Sequence, residues 1–390
     1  MSRYLFRLLL VLCVLSGLVP DIVEAIPAFA RRYELPCHFC HDGFPKLSVL
    51  GEQFKERGFR LDNDKSDVST WIRSVPVSVR GAFRQTFEEN GNAVSSALVR
   101  LVTAGDLGSR VSYWIEDNYV LDSDDSRRVG LGNAFMRVEI LPDELYIRGG
   151  RLELDLPFTQ TRTPQLFRYE IYFANTGFET DNIGVHQDGV ELGGFLDDTT
   201  RWSIAVVDGY DSEKQKAISE DVGKFEGNVF GRLVRRFGEG RAGMYVYWGG
   251  NTLTRRIGDD VLEWRNGILR LGADASVYLG QTHMYGTLSY GRNSNSLANA
   301  ENPNGTREAL SFTGGFFQVD FALRDDLVVT GRLNAVRGPP PGTTDSSKSF
   351  VQFAPGLRLW LHPQIRLAGE IAFANQDLPT KAAFRFEIVY

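Results

Sequence analysis

Residues 310–337 read LSFTGGFFQVDFALRDDLVVTGRLNAVR. Phe317, Val319, Phe321 and Leu323 alternate with polar or charged neighbours, and after Arg324-Asp325-Asp326 the alternation resumes with Val329, Gly331, Leu333 and Ala335. Alternate positions of a strand face opposite sides. Each half therefore has one apolar and one polar face, and the charged tripeptide reverses the chain between them. Strands of this kind suit a wall with lipid on one side and water on the other, the pattern of a transmembrane β-barrel.

One such segment is a weak signal, and repetition gives it weight. Val111, Tyr113 and Ile115 carry it, as do Leu357, Leu359 and Leu361. From about residue 75 onward there are about sixteen period-two segments bounded by turn residues. They fall near 77–88, 94–104, 110–120, 132–141, 145–153, 185–196, 201–209, 224–237, 241–250, 262–278, 281–292, 310–323, 327–337, 348–361, 365–374 and 382–390. If the last strand ends in the periplasm, even-numbered gaps should be short turns and odd-numbered gaps long extracellular loops. The even gaps are brief: Asp106-Leu107-Gly108, Pro142-Asp143-Glu144, Asp197 to Thr200, Gly238-Glu239-Gly240, Leu279-Gly280, Arg324-Asp325-Asp326 and His362-Pro363-Gln364. The odd gaps include 154–184, 210–223, 293–309 and 338–347, and only Asn90 to Asn92 is short. A soluble β-sandwich has no reason to keep that alternation. At the C-terminus Phe384, Phe386, Ile388 and Tyr390 alternate with Arg385 and Glu387, which resembles the terminal recognition signal of bacterial outer-membrane proteins. The expected fold class is all-β: a barrel of about sixteen strands over 75–390, placed in the bacterial outer membrane.

Composition agrees. The 390 residues include 40 Gly, 26 Phe and 14 Tyr against 4 Met, with apolar residues spread evenly, as many short alternating strands require. No later segment reaches 18 uninterrupted apolar residues, so no helical membrane span is expected. A net charge of -6 is mild and argues against a nucleic-acid partner. Met1 to Ala25 has the three parts of a signal peptide: Arg3 and Arg7, the apolar Leu8 to Val19, and a cleavage site at Val23-Glu24-Ala25. Leu12 before Cys13 argues against lipidation.

Behind that leader lies Cys37-His38-Phe39-Cys40-His41, the C-x-x-C-H pattern of c-type haem attachment. Two thiols add across the haem vinyl groups, and the following imidazole reaches the iron. A zinc site would want a second ligand pair, and no cysteine follows Cys40. A redox C-x-x-C would want a βαβ setting, while a plain disulfide also suits an oxidising compartment. Leu47, Leu50, Phe54 and Phe59 then share a helical face opening at Phe44-Pro45, with Gly58 ending it. Residues 26–70 form a small α-helical haem unit, too short to hold a core unaided, and expected in or beneath the barrel lumen as a plug.

His41 is the expected proximal iron ligand. The haem unit holds no Met, and its other histidine is His38, so a sixth ligand would come from the barrel. His283 is the first candidate, since Met284, Leu288 and Tyr290 take the lipid phase and leave His283, Tyr285, Thr287 and Ser289 for the lumen. Its plainer role is an ordinary polar lumen residue. His362 reads as a turn residue, His186 and Met244 have weaker cases, and a five-coordinate iron is the other possibility. The long segment Leu154 to Ile183 carries Phe158, Arg162, Phe167, Arg168, Tyr169, Tyr172, Phe173 and Phe178. It either folds into the lumen or caps the outer rim. Asp122, Asp124, Asp125, Asp259 and Asp260 read either as plain solvated loop acids, the commoner case, or as a charge that draws cations to the mouth, and not as metal ligands. Asn304-Gly305-Thr306 matches a glycosylation sequon, discounted for a bacterial envelope.

Cys37, Cys40 and His41, with Phe44-Pro45, Leu47, Gly51, Phe54, Gly58 and Phe59, resemble the haem stretch of the fused monohaem cytochrome–porins of outer membranes, best known in iron-oxidising bacteria. The motif match covers about residues 27–60, and the barrel agrees in architecture. The resemblance implies one covalent haem c and electron transfer from an extracellular donor such as Fe(II) to a periplasmic c-type cytochrome, as an iron(II) oxidoreductase. Two other functions fit the same residues: a porin whose haem unit is a structural or gating plug, and a haem sensor or peroxidase with an open iron site.

Overall fold

The computed structural model describes residues 29, 33, 35, 37–41, 46–61, 77–122, 127–142, 144–158, 165–173, 183–209, 227–257, 260–297, 308–338, 349–362, 364–375 and 379–389. The leader, Phe44-Pro45, Tyr390, Arg162, Phe178 and the sequon lie outside them. So do the side chains of Cys37, His38, Phe173 and the five loop aspartates.

Sixteen strands follow one another around a closed barrel, each antiparallel to the next. They are β1 (Val77–Glu88), β2 (Ala93–Asp106), β3 (Val111–Asp122), β4 (Arg127–Leu141), β5 (Leu145–Glu153), β6 (His186–Asp197), β7 (Thr200–Val207) and β8 (Asn228–Phe237). The second half comprises β9 (Gly240–Ile257), β10 (Asp260–Leu279), β11 (Thr282–Leu297), β12 (Glu308–Arg324), β13 (Leu327–Arg337), β14 (Ser349–His362), β15 (Ile365–Ala374) and β16 (Lys381–Val389). Closure pairs β1 with β16, from Arg80 opposite Val389 to Glu88 opposite Lys381, which leaves no unpaired edge in the membrane.

The strands fall on the period-two segments, with shifts at some ends. β4 begins at Arg127 instead of 132, which shortens the third connection; β8 begins at Asn228 instead of 224, and β11 runs to Leu297 instead of 292. One connection needs a larger correction. β9 and β10 run on through the gap read between residues 250 and 262, pairing from Ser276–Arg241 to Asp260–Ile257. The ninth connection is therefore a tight hairpin instead of a long loop. Its polar residues obscure the alternation because a hairpin extending past the bilayer has no lipid face to cover.

The two faces are opposite in chemistry. Leu288, Trp248, Leu361, Leu357, Phe317 and Phe353 stand exposed on the outside. Arg332, Asn334, Gln318, Arg358 and Glu387 are buried inside. Leu288 is 74% exposed while its neighbour Thr287 is 3%. Leu288→Arg should therefore cost about 2–4 kcal/mol of membrane-inserted stability. Refolding titrations into lipid vesicles read this directly; a loss equal to that of Thr287→Ser would show that the outer face does not meet lipid.

The connection after β5 enters the barrel instead of capping it. Leu154, Leu156, Phe158, Tyr169, Ile171, Tyr172 and Ile183 pack with the wall residues Ala205, Val207, Phe230, Tyr245, Tyr285 and Phe316. The ring of Tyr169 stacks on Phe316 at 3.9 Å, and Leu166 and Phe167 fill a second patch among Ala354, Ala368, Ala372 and Ala383. Small and aromatic residues on the inner wall make room for this core. Among the described residues, the lumen is thus occupied by the chain's own loop.

Candidate functional site

The N-terminal unit supplies two short helices, α1 (Cys37–Cys40) and α2 (Val49–Glu56). Helix α2 opens at Val49, later than Phe44, because Ser48 caps it: the Ser48 hydroxyl accepts from Gly51 N–H at 3.1 Å and donates to the Phe39 carbonyl at 3.1 Å. One side chain therefore starts α2 and ties it to α1. Helix α2 ends at Gly58 as its sequence implies. Gly58 and Phe59 both have positive φ, and Phe59 N–H returns to the Phe54 carbonyl at 2.9 Å with Gly58 N–H on Lys55. That is a Schellman closure, and it swings Phe59 back against Phe54.

Positions 37 and 40 share a face of the α1 turn, being three apart. Helix α2 crosses directly behind it: a Cβ at Gly51 would lie 1.9 Å from the Cys40 carbonyl oxygen. Gly51→Val should force the helices apart, costing about 1–3 kcal/mol, and lower the haem-to-protein ratio of purified material. An unchanged ratio would mean the α1–α2 contact does not shape the motif.

His41 pairs with Leu47 in an isolated bridge, and its Nδ1–H donates to the Lys46 carbonyl at 3.3 Å. That bond fixes the tautomer and leaves the lone pair on Nε2, the arrangement of a metal-ligating histidine oriented by a carbonyl behind it. The donor set, two cysteines on one turn and an imidazole presented through Nε2, fits a covalent haem c.

Lys46 also links the motif to the barrel. Its ammonium pairs with Asp320 on β12 at 3.2 Å and lies 5.6 and 5.3 Å from the ring centres of Tyr278 and Tyr285. Those two rings sandwich His283, at 3.9 and 4.6 Å. The His283 ring is buried in the lumen beside the β10–β11 turn, with Nε2 2.6 Å from the Ser276 hydroxyl and a buried Nδ1 that has no hydrogen-bond partner among the described residues. Met244 is 60% exposed on the outer face, which removes it as a lumenal ligand. Its strand phase opposes that of Tyr245, which points inward. His186 opens β6 at the end away from the short turns, and His362 is exposed at one of those turns.

Ion pairs that no sequence signal marked hold the rest of the plug. Glu52 pairs with Arg241 at 2.6 Å and Arg236 at 3.3 Å; Glu56 pairs with Arg236 at 2.9 Å and Arg201 at 3.0 Å. Arg137 donates to the Glu56 carbonyl. Arg60 reaches Glu139 at 3.2 Å and the turn carbonyls of Gly108 and Val111. The apolar side of α2 meets the wall through Phe54, Phe59, Phe135 and Leu152, with Trp114 against Phe59 at 5.4 Å. Trp114 lies toward the short turns, the periplasmic side of such barrels, while Phe135 sits mid-strand and Leu152 near the opposite end of β5. The loop core and the plug meet at Asp320: Gln165 donates to Tyr285 and Gln318, and Tyr285, Gln318, Arg358 and Lys46 all converge on that carboxylate.

No family model and no curated protein matches this chain. Solved structures match it in shape. The chain is similar to the anion-selective porin from Comamonas acidovorans, with TM-score 0.59 and 10% identity over 80% of this chain and 98% of that one. It is also similar to OmpTdeltaL8, a loop L8 deletion mutant of the outer membrane protein OmpT of Vibrio cholerae, at TM-score 0.57, 8% identity, and 80% and 98% coverage. The outer membrane channel DcaP of Acinetobacter baumannii gives TM-score 0.53, 12% identity, and 80% and 96% coverage. The fold is that of an outer-membrane porin barrel. The polar lumen and apolar exterior place it in the same membrane.

Proposed function

We propose that this chain carries single electrons across the bacterial outer membrane, using one haem c held covalently by its plug. The donor would be extracellular, Fe(II) among the candidates, and the acceptor a periplasmic c-type cytochrome. The observation that carries this reading is the His41 Nδ1–Lys46 carbonyl bond inside a C-x-x-C-H motif that the barrel anchors in its lumen. Cys37 and Cys40 would hold the group, His41 would ligate through Nε2, and His283 is the candidate second ligand, with Nδ1 as its nitrogen lacking a partner among the described residues. Bound there, the haem supplies a one-electron couple. The chain's part would be to exclude water from it, a role the aromatic loop core and the ionic seat of α2 would share.

Anaerobic Fe(II) added to purified haem-loaded protein should reduce the haem, followed by its absorbance. Reduction by dithionite but not by Fe(II) would sink iron as the donor while leaving the haem in place. A second reading, a porin gated by its plug, draws on the channel-type fold and on a seat made mainly of ion pairs. Solute flux from vesicles separates the two: free flux through the native protein would favour the gate.

A further inference from the structure

The outer face of the barrel is not evenly covered. Across β7 to β14 it is hollowed into a groove of about 1100 Å³. Short residues make the floor: Gly231, Ala273, Gly314 and Ala335. Met244, Leu271, Leu288 and Val351 stand around it, exposed toward lipid. Strand pairing sets these residues in rows, with Ala273 opposite Leu288 and Ala335 opposite Val351. Such rows climb around a barrel because its strands tilt. The groove therefore opens at Trp202 and Ile204, beside a short turn, and ends at Arg337 and Ser349. There β13 stops and β14 starts, on the side of the long loops.

The upper end has a different chemistry. Arg337 continues the outward phase of Leu333 and Ala335 and is exposed. Its register neighbours are Thr313 and Ser349, and Tyr290 lies beyond Thr313. Hydroxyls and a cation thus stand at the level where hydrocarbon gives way to headgroups. Among the described residues no carboxylate lines the groove, and Arg337 makes no ion pair. A second copy docked groove to groove would bring the same surface and leave that charge unmatched. A lipid brings a phosphate.

We propose that this groove binds a phosphate-bearing lipid of the outer leaflet, with its acyl chains along the apolar floor and its phosphate on Arg337. A methylene fills roughly the 30 Å³ of a liquid water, so the hollow has room for two chains of about fourteen carbons. Apolar burial holds the chains whatever the headgroup, and the guanidinium selects phosphate through a charge-assisted fork. The chains supply affinity, and Arg337 supplies selectivity.

The test mixes the full chain, folded in detergent, with dimyristoyl phosphatidic acid or with dimyristoyl phosphatidylcholine. Mass measured without denaturation then counts the lipid retained. The wild type should prefer phosphatidic acid by about tenfold, the scale of one charge-assisted contact. Arg337→Gln should bring the two lipids level. Ala335→Trp, which fills the floor, should lower retention of both. Both positions are exposed, so neither substitution enters the core, and the mobility of unheated protein on a gel checks that each variant is folded. Equal retention by the wild type, or a preference that survives Arg337→Gln, would overturn the proposal and leave Arg337 as a simple interfacial anchor. A dimer that forms in place of the lipid complex, and that Ala335→Trp abolishes, would overturn it in favour of a second copy.

Discussion

The Cys37→Ser, Cys40→Ser variant is expected to lose all covalent haem and keep its barrel. Both thioether positions lie on the α1 turn, whose contacts run to α2 through Ser48 and Gly51. No strand pairing involves them. The barrel closes through β1 and β16, and its lumenal core is built from loop and wall residues. Removing two sulfurs therefore leaves the fold's own stabilisation intact. Peroxidase staining of a denaturing gel measures covalent haem, and the mobility of unheated protein reports the folded barrel. Staining that survives in the variant would place the haem elsewhere. A wild type that never stains would return the two cysteines to the disulfide or redox readings of the motif.

The barrel was legible because lipid imposes a rule on every strand. Phe317, Val319 and Phe321 had to be apolar and Gln318 and Asp320 did not, so the period-two pattern exposed both faces and the short turns exposed the topology. Where lipid stops, the pattern stops, and the β9–β10 hairpin was read as a loop for that reason. The motif stood out because its chemistry needs fixed spacing, and Gly58 was visible as a helix-stopping residue, whereas the packing role of Gly51 against the Cys40 carbonyl was not.

The plug seat was not legible. Glu52 and Glu56 look like any solvated helix face, and Arg201, Arg236 and Arg241 like any lumenal polar residues. Only closure of the barrel brings residues some 180 positions apart into contact. The path of the Leu154–Ile183 loop was undecided for a related reason. Aromatics beside cations suit a rim or a lumen equally until the inner wall is seen to offer Phe316, Phe230 and Ala205 as a surface to pack against.

Glu52→Gln with Glu56→Gln should unseat the plug and open the barrel. The two carboxylates make four contacts of 3.3 Å or less with Arg201, Arg236 and Arg241, all within the barrel wall. Arg201 would keep Asp155 as a partner, whereas the ion pairs of Arg236 and Arg241 described here run only to the two glutamates. Removing one side of a half-buried pair leaves the other charge partly desolvated and uncompensated, at about 1–3 kcal/mol. The apolar seat works against release, since Phe54 and Phe59 still pack on Phe135 and Leu152; its contribution of about 1.5–3 kcal/mol per buried side chain is of the same order as the loss. The docked and undocked states should then become comparable in population, and solute flux through reconstituted protein should rise by one to two orders of magnitude, a factor of ten for each 1.4 kcal/mol of lost docking. Raised salt should increase flux in the wild type by the same route, because partly exposed pairs are screened. Flux that stays at the wild-type level in the double variant would mean the apolar cluster and the Lys46–Asp320 junction hold the plug alone. Closure would then be a fixed property of the fold, and the gating reading would lose its physical basis.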